Sequence, residues 1–172
     1  MKKEVELKFN VDRLAAVRKK LQALGAREDW AGKEKNWYLD TPAHTLEKRH
    51  AALRIRDAGG SKLTYKEKLG DKKFKAADEY QLDIGDAKEL LRIFQRLGFV
   101  IRVAYTKYRE YWHFEGADIT LDRFPFGSFV EIEAPRRKIE PLARKLGLDI
   151  AKSTTKTYIR LLEEHSKKQK PR

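Results

Sequence analysis

The chain contains no cysteine among its 172 residues, which excludes disulfide bonds and thiolate metal sites and is typical of a reducing compartment. No apolar run approaches the length of a transmembrane helix. Charged residues interrupt the N-terminal segment where a signal peptide would have its apolar core. We therefore expect a cytoplasmic protein that makes no use of a membrane.

Two common metal and phosphate motifs are also missing. The four histidines, His44, His50, His113 and His165, lack the His-x₃-His or His-Glu-x-x-His spacing of zinc sites. The chain has no Gly-x₄-Gly-Lys-Ser/Thr loop of the kind that cradles nucleotide phosphates. Any binding of metal or phosphate must therefore come from other residues.

Positive charge is abundant: 39 basic residues against 26 acidic ones give a formal net charge of +13. Such a chain attracts anions, including nucleic acids, acidic membranes and phosphorylated small molecules. The charged fraction of 38% also fits the surface ion-pair networks of thermophilic proteins, which is the alternative interpretation of the whole pattern. Residues 167–172 form a basic tail that we predict to be disordered.

The charges are phased with strand periodicity. In Glu4-Val5-Glu6-Leu7-Lys8-Phe9 the charged residues line one face of a strand and the apolar residues line the other. Like charges recur two residues apart in four further segments, in the pairs Arg54/Arg56, Lys66/Lys68, Lys107/Arg109 and Glu131/Glu133. An ordinary half-buried strand with a solvated face would also alternate, but the repeated pairing of like charges favours a binding site.

Paired carboxylates on one strand face lie about 6–7 Å apart. At an effective dielectric constant of about 20 they repel each other by about 2–3 kcal/mol. Hard divalent cations bind carboxylate oxygens, whereas phosphate oxygens bind Arg and Lys. One interior that carries both sets would suit a metal-chelated polyphosphate.

The pattern predicts an α+β protein with four helices, over 11–24, 86–98 and 140–146 and from Ser153 or Thr154 onward. The predicted strands are 3–9, 36–40, 51–57, 62–69, 78–84, 103–113, 117–124 and 128–134, and 69–77 is a predicted basic loop. Turn signals at 57–61, 115–117 and 125–127 predict hairpins. Eight mostly antiparallel strands with helices outside favour a closed barrel with a polar interior, in a single domain over 1–166.

These residues resemble the CYTH superfamily, or triphosphate tunnel metalloenzymes, in its class IV adenylyl cyclase and thiamine-triphosphatase-like branch. The resemblance spans nearly the whole chain in the expected order: the opening Glu-x-Glu-x-Lys at 4–8, Tyr-Leu-Asp-Thr-Pro at 38–42, Leu-Arg-Ile-Arg at 53–56, Leu-Thr-Tyr-Lys at 63–66, Lys-Tyr-Arg at 107–109, Leu-Asp at 121–122, Gly-Ser-Phe-Val-Glu-Ile-Glu at 127–133 and Lys-Thr-Tyr at 156–158. The chain departs from the family at Glu67-Lys68, where Gly-Pro is common, and at Ala76-Ala77-Asp78, where an Arg often precedes the acidic residue.

The resemblance implies a closed antiparallel eight-stranded barrel that binds a triphosphate with Mg²⁺ or Mn²⁺. The implied metal ligands are Glu4, Glu6, Glu131 and Glu133, with Asp122 in the ligand or water shell. The implied substrate-binding residues are Lys8, Arg54, Arg56, Lys66, Lys107 and Arg109, with Glu79 as a further interior acid. We expect catalytic roles for Glu6, as proton acceptor, and for Lys8 and Arg109, as cations that stabilise developing charge.

Two reactions fit this machinery. Hydrolysis of tripolyphosphate, thiamine triphosphate or a nucleoside triphosphate would release orthophosphate, whereas an adenylyl cyclase would release cyclic AMP and pyrophosphate. We favour hydrolysis because water is always available and no adenine-binding residue stands out. A non-catalytic polyphosphate or RNA binder is the third interpretation, although acidic strands would repel a long RNA backbone. The sequence leaves open whether the chain is a monomer or a homodimer.

Overall fold

The computed structural model describes residues 5–68, 77–154 and 156–169. The predicted loop at 69–77 therefore lies almost entirely outside the described residues. Nine strands are described: β1 Val5–Val11, β2 Arg27–Asp40, β3 Ala51–Asp57, β4 Ser61–Lys68, β5 Ala77–Ile84, β6 Val100–Phe114, β7 Ala117–Phe124, β8 Gly127–Ala134 and β9 Ser153–Thr154. The described helices are α1 Leu14–Ala23, α2 Thr45–Lys48, α3 Ala87–Arg96, α4 Arg136–Leu146 and α5 Tyr158–Gln169, with one 3₁₀ turn at Ile150–Lys152.

The α+β prediction is confirmed, and the eight predicted strands all form. The three hairpin turns also form, since β3 pairs with β4, β6 with β7 and β7 with β8 in antiparallel register. Strand β2 is longer than predicted and begins at Arg27. Its first part, Arg-Glu-Asp-Trp-Ala-Gly-Lys-Glu-Lys, lacks the apolar alternation on which the prediction depended.

Three helix starts were predicted wrongly. Helix α1 begins at Leu14 and not at Val11, which is the last residue of β1. Pro141 lies inside α4, which begins at Arg136, because its buried stripe already includes Ile139 ahead of the proline. Ser153 and Thr154 form β9 and not the start of the last helix, which begins at Tyr158. That helix continues to Gln169, so residues 167–169 of the predicted disordered tail are helical. Residues 170–172 lie outside the described residues. Asp86 caps α3 as predicted, accepting hydrogen bonds from the backbone N–H groups of Lys88 and Glu89.

The strands form one sheet in the order β5-β4-β3-β2-β6-β7-β8-β1-β9. Within the described ranges, no hydrogen-bonded pairing joins β5 to the other end of this order, so the predicted closed eight-stranded barrel is not confirmed. The far edge of β1 is instead occupied by β9, which pairs at Lys8 and Phe9. The large antiparallel sheet itself is clear.

The chain divides into two compact units, residues 1–32 with 108–172 and residues 33–107. In the first unit, helices α1 and α4 cover the apolar face of the strands. Val17 and Leu21 of α1 and Leu142 and Leu146 of α4 belong to one buried cluster with strand residues such as Ile132. Burying an aliphatic side chain of this size contributes about 1.5–3 kcal/mol, so this layer holds the strands in place.

One ion pair ties α1 to the strands of the same unit. The Arg18 Nε donates to Glu110 Oε2 at 2.8 Å, and a second guanidinium nitrogen contacts the other carboxylate oxygen. Glu110 is buried, whereas Arg18 reaches solvent. The bidentate geometry compensates the buried carboxylate on the side of the sheet that is otherwise apolar.

In the second unit, α3 covers one face of strands β2 to β4. Leu39, Leu53, Ile55 and Ala87 form the buried centre, against which Phe94 packs. Side chains alternate along each strand, so the opposite face of these strands carries the polar residues. That face is where the predicted phosphate-binding residues of this unit lie.

Candidate active site

Cross-strand register in the first unit gathers charged residues on the face opposite the apolar core. Lys8 lies opposite Glu131, and Arg109 lies opposite Asp122. Glu6 lies opposite Glu133, which in turn lies opposite Asp118 of β7. Because directly opposed residues point to the same side of a sheet, one polar face receives all of these side chains.

Arg109 is the centre of this face. Its Nε donates to Asp122 Oδ1 at 2.6 Å, and its Nη2 donates to Asp122 Oδ2 at 2.5 Å and to Glu131 Oε2 at 2.5 Å. Asp122 has no exposed surface, and Arg109 and Glu131 are nearly buried. The planar guanidinium matches the carboxylate in a two-point contact, which fixes its orientation.

Lys8 connects the face to the C-terminal segment. Its Nζ lies 3.0 Å from Glu131 Oε1 and 3.5 Å from Glu6 Oε1, and it donates to the backbone oxygen of Lys156 at 2.9 Å. The same ammonium group lies 4.1 Å from the centre of the Tyr158 ring. A desolvated ammonium over an aromatic face is a favourable cation–π arrangement.

Tyr158 is a site residue to which sequence analysis gave no role. Its hydroxyl donates to Asp122 Oδ2 at 2.5 Å. Burial, followed by the negative charge of Asp122, raises the pKa of the Tyr158 phenol well above its ordinary value, so it remains a neutral donor. The signal that could have found it was its place in the Lys156-Thr157-Tyr158 match to the family.

Glu6 reaches solvent, with 49% of its side chain exposed. Its pKa is raised, first by desolvation and next by the neighbouring Glu131 carboxylate, and these effects outweigh the lowering by Lys8. Two carboxylates that repel each other provide the hard oxygen donors that Mg²⁺ and Mn²⁺ prefer. The donor chemistry therefore fits a divalent ion, although no group of three or more acidic or histidine side chains within the described ranges is arranged as a metal site.

The predicted site residues are thus distributed in three ways. The structure brings together Glu6, Lys8, Arg109, Asp122 and Glu131 in the first unit, and Glu133 shares their face by register. Glu4 lies outside the described residues. Arg54, Arg56, Lys66, Glu79 and Lys107 belong to the second unit.

Lys107 belongs to a buried cluster of polar side chains in the second unit. Its Nζ lies 3.2 Å from Glu34 Oε1, and each side chain has only 2% of its surface exposed. The same Glu34 oxygen accepts a hydrogen bond from Asn36 Nδ2 at 3.0 Å. Sequence analysis missed Glu34 and Asn36, although Glu34, Asn36 and Tyr38 stand two residues apart on one strand, as the charged pairs do.

Cross-strand register places Arg54 and Arg56 on the same face of the sheet as Asn36. Arg56 lies opposite Asn36, and Arg54 lies opposite Tyr38. Lys66 forms an ion pair with Glu79 at 2.7 Å, with about half of each side chain in solvent (51% and 40%). A pair this exposed contributes little to stability, so both groups can exchange their partner for a ligand at low cost.

The family follows from comparison with known proteins. The model of the CYTH domain matches residues 2–158, and the chain belongs to this family. A protein of Methanocaldococcus jannaschii provisionally named an adenylate cyclase is 30% identical over 132 residues, which are 76% of this chain and 75% of that protein.

Solved structures share the fold. A protein of Vibrio parahaemolyticus, also provisionally named an adenylate cyclase, superposes with a TM-score of 0.82 at 21% identity, covering 93% of this chain and 97% of that one. A Hippeastrum protein described as a provisional adenylyl cyclase with a dominant triphosphatase activity gives a TM-score of 0.65 at 18% identity, covering 94% and 95%. Among the described residues, no helix has the length and apolar character needed to cross a membrane.

Proposed function

We propose that the chain is a divalent-metal-dependent enzyme that hydrolyses a small triphosphate and releases orthophosphate. The observation that carries this proposal is the buried network in which Lys8 and Arg109 share Glu131 and Arg109 also binds Asp122. Fixed cations beside carboxylates suit phosphoryl transfer, because this reaction needs positioning and charge neutralisation more than covalent catalysis.

Each residue has a defined task in this proposal. Asp122 orients the Arg109 guanidinium, which would bind phosphate oxygens together with Lys8. Glu6 is the proton acceptor for the attacking water, because its raised pKa favours protonation and half of its side chain reaches solvent. Mg²⁺ or Mn²⁺ held by Glu6, Glu131 and Glu133, with Glu4 and Asp122, would supply Lewis-acid neutralisation of phosphate charge.

Adenylyl cyclase activity is the second candidate, because the Methanocaldococcus relative carries that name at 30% identity. The same cations would then face a triphosphate whose α-phosphorus is attacked by the ribose 3′-hydroxyl. The description of the Hippeastrum structure links the two activities in one protein of this fold. Hydrolysis remains the first choice because its nucleophile is water, and no ribose hydroxyl has to be held in one pose.

A substrate panel tests the proposal. The purified protein is assayed with Mg²⁺ or Mn²⁺ on tripolyphosphate, thiamine triphosphate and ATP, and orthophosphate, pyrophosphate and cyclic AMP are resolved. Glu6→Gln should abolish the activity, whereas Glu163→Gln, an exposed acid of α5, should leave it unchanged. Orthophosphate release supports the hydrolase, cyclic AMP with pyrophosphate supports the cyclase, and no turnover of any substrate contradicts both.

A further inference from the structure

The helices of the first unit carry a concentration of positive charge that the proposed reaction does not use. Residues 12–24 and 135–149, which contain α1 and α4, include nine basic and three acidic residues. Residues 86–97, which contain α3 of the second unit, include three basic and two acidic residues. The excess of positive charge is therefore a property of α1 and α4 and not of every helix in the chain.

Helices α1 and α4 form one layer over the strands. Val17 and Leu21 of α1 and Leu142 and Leu146 of α4 belong to the same buried cluster, and Lys20 Nζ donates to the backbone oxygen of Leu146 at 3.1 Å. Because these apolar side chains face the strands, the opposite sides of both helices face solvent. The exposed cations of these helices, with the one at the N-cap of α1, form what we call the basic helical surface: Arg13, Lys19, Arg136, Arg137, Arg144 and Lys145.

Ordinary surface ion pairs involve only two of these six cations. Arg144 and Lys145 each pair with a glutamate. The other four form no ion pair with any residue that the structure describes. The surface networks of thermophilic proteins pair opposite charges, so a network of that kind does not explain these four cations.

Two of the unpaired cations lie where a helix disfavours positive charge. Arg136 and Arg137 are the first two residues of α4, whose first turn contains no acidic residue. The N-terminus of a helix carries a partial positive charge, which repels these side chains. A bound anion would attract both the arginines and the helix dipole. The placement of the two arginines therefore favours ligand binding over helix stability.

The extent of the surface favours a long polyanion over a single phosphate group. Helix α4 has 11 residues, which give it a length of about 16 Å. A nucleic acid duplex of that length carries about ten phosphate charges. Residues 12–24 and 135–149 contain no Phe, Tyr or Trp, whereas sites for single strands stack the bases on aromatic side chains. The composition thus favours a duplex that is bound by its backbone.

An acidic membrane would also attract this surface. Helices that lie on membranes present large apolar side chains together with their cations. In residues 12–24 and 135–149, all of which the structure describes, Leu24 is the single exposed large apolar side chain, with 38% of its surface exposed. Arginine, which supplies four of the six cations, binds phosphate oxygens in a two-point contact. Both observations favour the duplex.

We propose that the basic helical surface binds the phosphate backbone of a nucleic acid duplex without reading its sequence. Helices α1 and α4 cover the apolar face of the strands, so this surface lies on the other side of the first unit from the Lys8 and Arg109 network. A duplex bound there leaves the candidate active site open. The interaction therefore stands apart from the proposed function and extends it.

Fluorescence anisotropy with a labelled DNA duplex of mixed sequence, over a range of NaCl concentrations, tests the proposal. Two triple variants of equal net charge are compared with the parent. The test variant removes three unpaired cations of the surface: Lys19→Gln, Arg136→Gln and Arg137→Gln. The control variant removes one lysine and two arginines from exposed positions of α3: Lys88→Gln, Arg92→Gln and Arg96→Gln.

The parent should bind with a Kd of about 10⁻⁶–10⁻⁴ M at physiological salt. Counterion release gives the plot of log K against log salt concentration a slope of about −0.9 for each phosphate contact. The test variant should therefore reduce the magnitude of this slope by about 2.7 and weaken binding about tenfold or more. The control variant should stay within about twofold of the parent.

Four results would overturn the proposal. They are equal weakening by both triple variants, which would show that net charge alone attracts the duplex; tighter binding of a single strand than of the duplex; binding of phosphatidylserine vesicles but not of DNA; and no binding of the duplex by the parent at low salt. If the test variant does not fold, Arg137→Gln is compared with Arg96→Gln: a difference in slope of about 0.9 supports the proposal, and equal slopes overturn it. The proposed function is tested separately, by turnover.

Discussion

Replacing Arg109 by methionine removes the guanidinium from the most buried charge network of the first unit while keeping an apolar stem of similar length. The change deletes three charge-assisted hydrogen bonds, two to Asp122 and one to Glu131. Both carboxylates remain in place, and Asp122 has no contact with solvent. We expect a large loss of stability, because the desolvation cost of the two acids is no longer compensated.

The magnitude follows from the partners that survive. Removing one member of a buried ion pair costs about 3–5 kcal/mol. Lys8 still lies 3.0 Å from Glu131, and the Tyr158 hydroxyl still donates to Asp122 at 2.5 Å, which reduces the penalty. The lower end, about 3 kcal/mol, is therefore the expected loss in the free energy of unfolding. For a chain of this length it corresponds to a fall in Tm of roughly 6–12 °C.

Urea unfolding followed by circular dichroism measures this loss, with scanning calorimetry for Tm. Arg123→Met is the matched control, because Arg123 is an exposed arginine on β7 that stacks over Tyr108. The control should change stability by no more than about 0.5 kcal/mol. A loss below about 1 kcal/mol for Arg109→Met, the value of an exposed pair, would refute the argument that this network is buried and mutually dependent.

Three further expectations concern single contacts. Asp40 accepts hydrogen bonds from the backbone N–H groups of Thr41, Leu46 and Glu47. Desolvation raises the pKa of Asp40, but these hydrogen bonds outweigh it and lower the pKa. The stability that the Asp40 carboxylate contributes is therefore present above the unfolded pKa of about 3.9 and is lost as pH falls through the folded pKa. Asp40→Asn should therefore cost about 1 kcal/mol at pH 7, with the two unfolding curves converging below about pH 3.9, and a constant difference across pH would contradict this. Tyr158→Phe, which keeps the ring over Lys8 and removes the donor to Asp122, should cost about 1.5–3 kcal/mol in urea unfolding, and an unchanged midpoint would contradict the hydrogen bond. Glu34→Gln removes the carboxylate facing the buried Lys107 and should cost about 3 kcal/mol by the same assay, whereas a loss typical of exposed pairs would show that Lys107 is compensated in another way.

The strands that alternate apolar with charged residues were predictable, because burial of one face imposes a period of two. The segments at Ala51–Asp57 and Ala117–Phe124 were located to the residue. The first part of β2 was not found, because Lys33 and Lys35 are exposed on one side while Glu34 and Asn36 are buried in a polar environment on the other. Polarity on both sides of a strand removes the contrast on which the prediction depends.

Elements set by long-range contacts were also beyond local reasoning. Strand β9 has only two residues and exists because they pair with Lys8 and Phe9 of β1. In α4, proline chemistry suggested a start at Pro141, but Ile139 and Leu142 both pack into the core, which requires the helix to begin earlier. Tertiary burial outweighed the positional preference of a single residue.

For the candidate site, alternation correctly predicted that Glu6 and Lys8 share a face, but it could not predict which partners they meet. Pairing depends on register, and a shift of one residue would reverse every face. The contacts of Arg109 with Asp122 and Glu131 join residues 13 and 22 positions apart, and Tyr158 reaches Asp122 across 36 positions. The metal ligands, the phosphate-binding roles and the closed barrel stay predictions.

The contact between the Lys8 ammonium and the Lys156 carbonyl joins two residues 148 positions apart. During synthesis the strand that carries Lys8 is made well before Lys156 and Tyr158, which complete its surroundings. The nascent chain therefore holds a cation whose final neighbours do not yet exist. A product that stops before residue 156 would lack both the carbonyl and the Tyr158 ring, so competence at this site requires translation to proceed past residue 158.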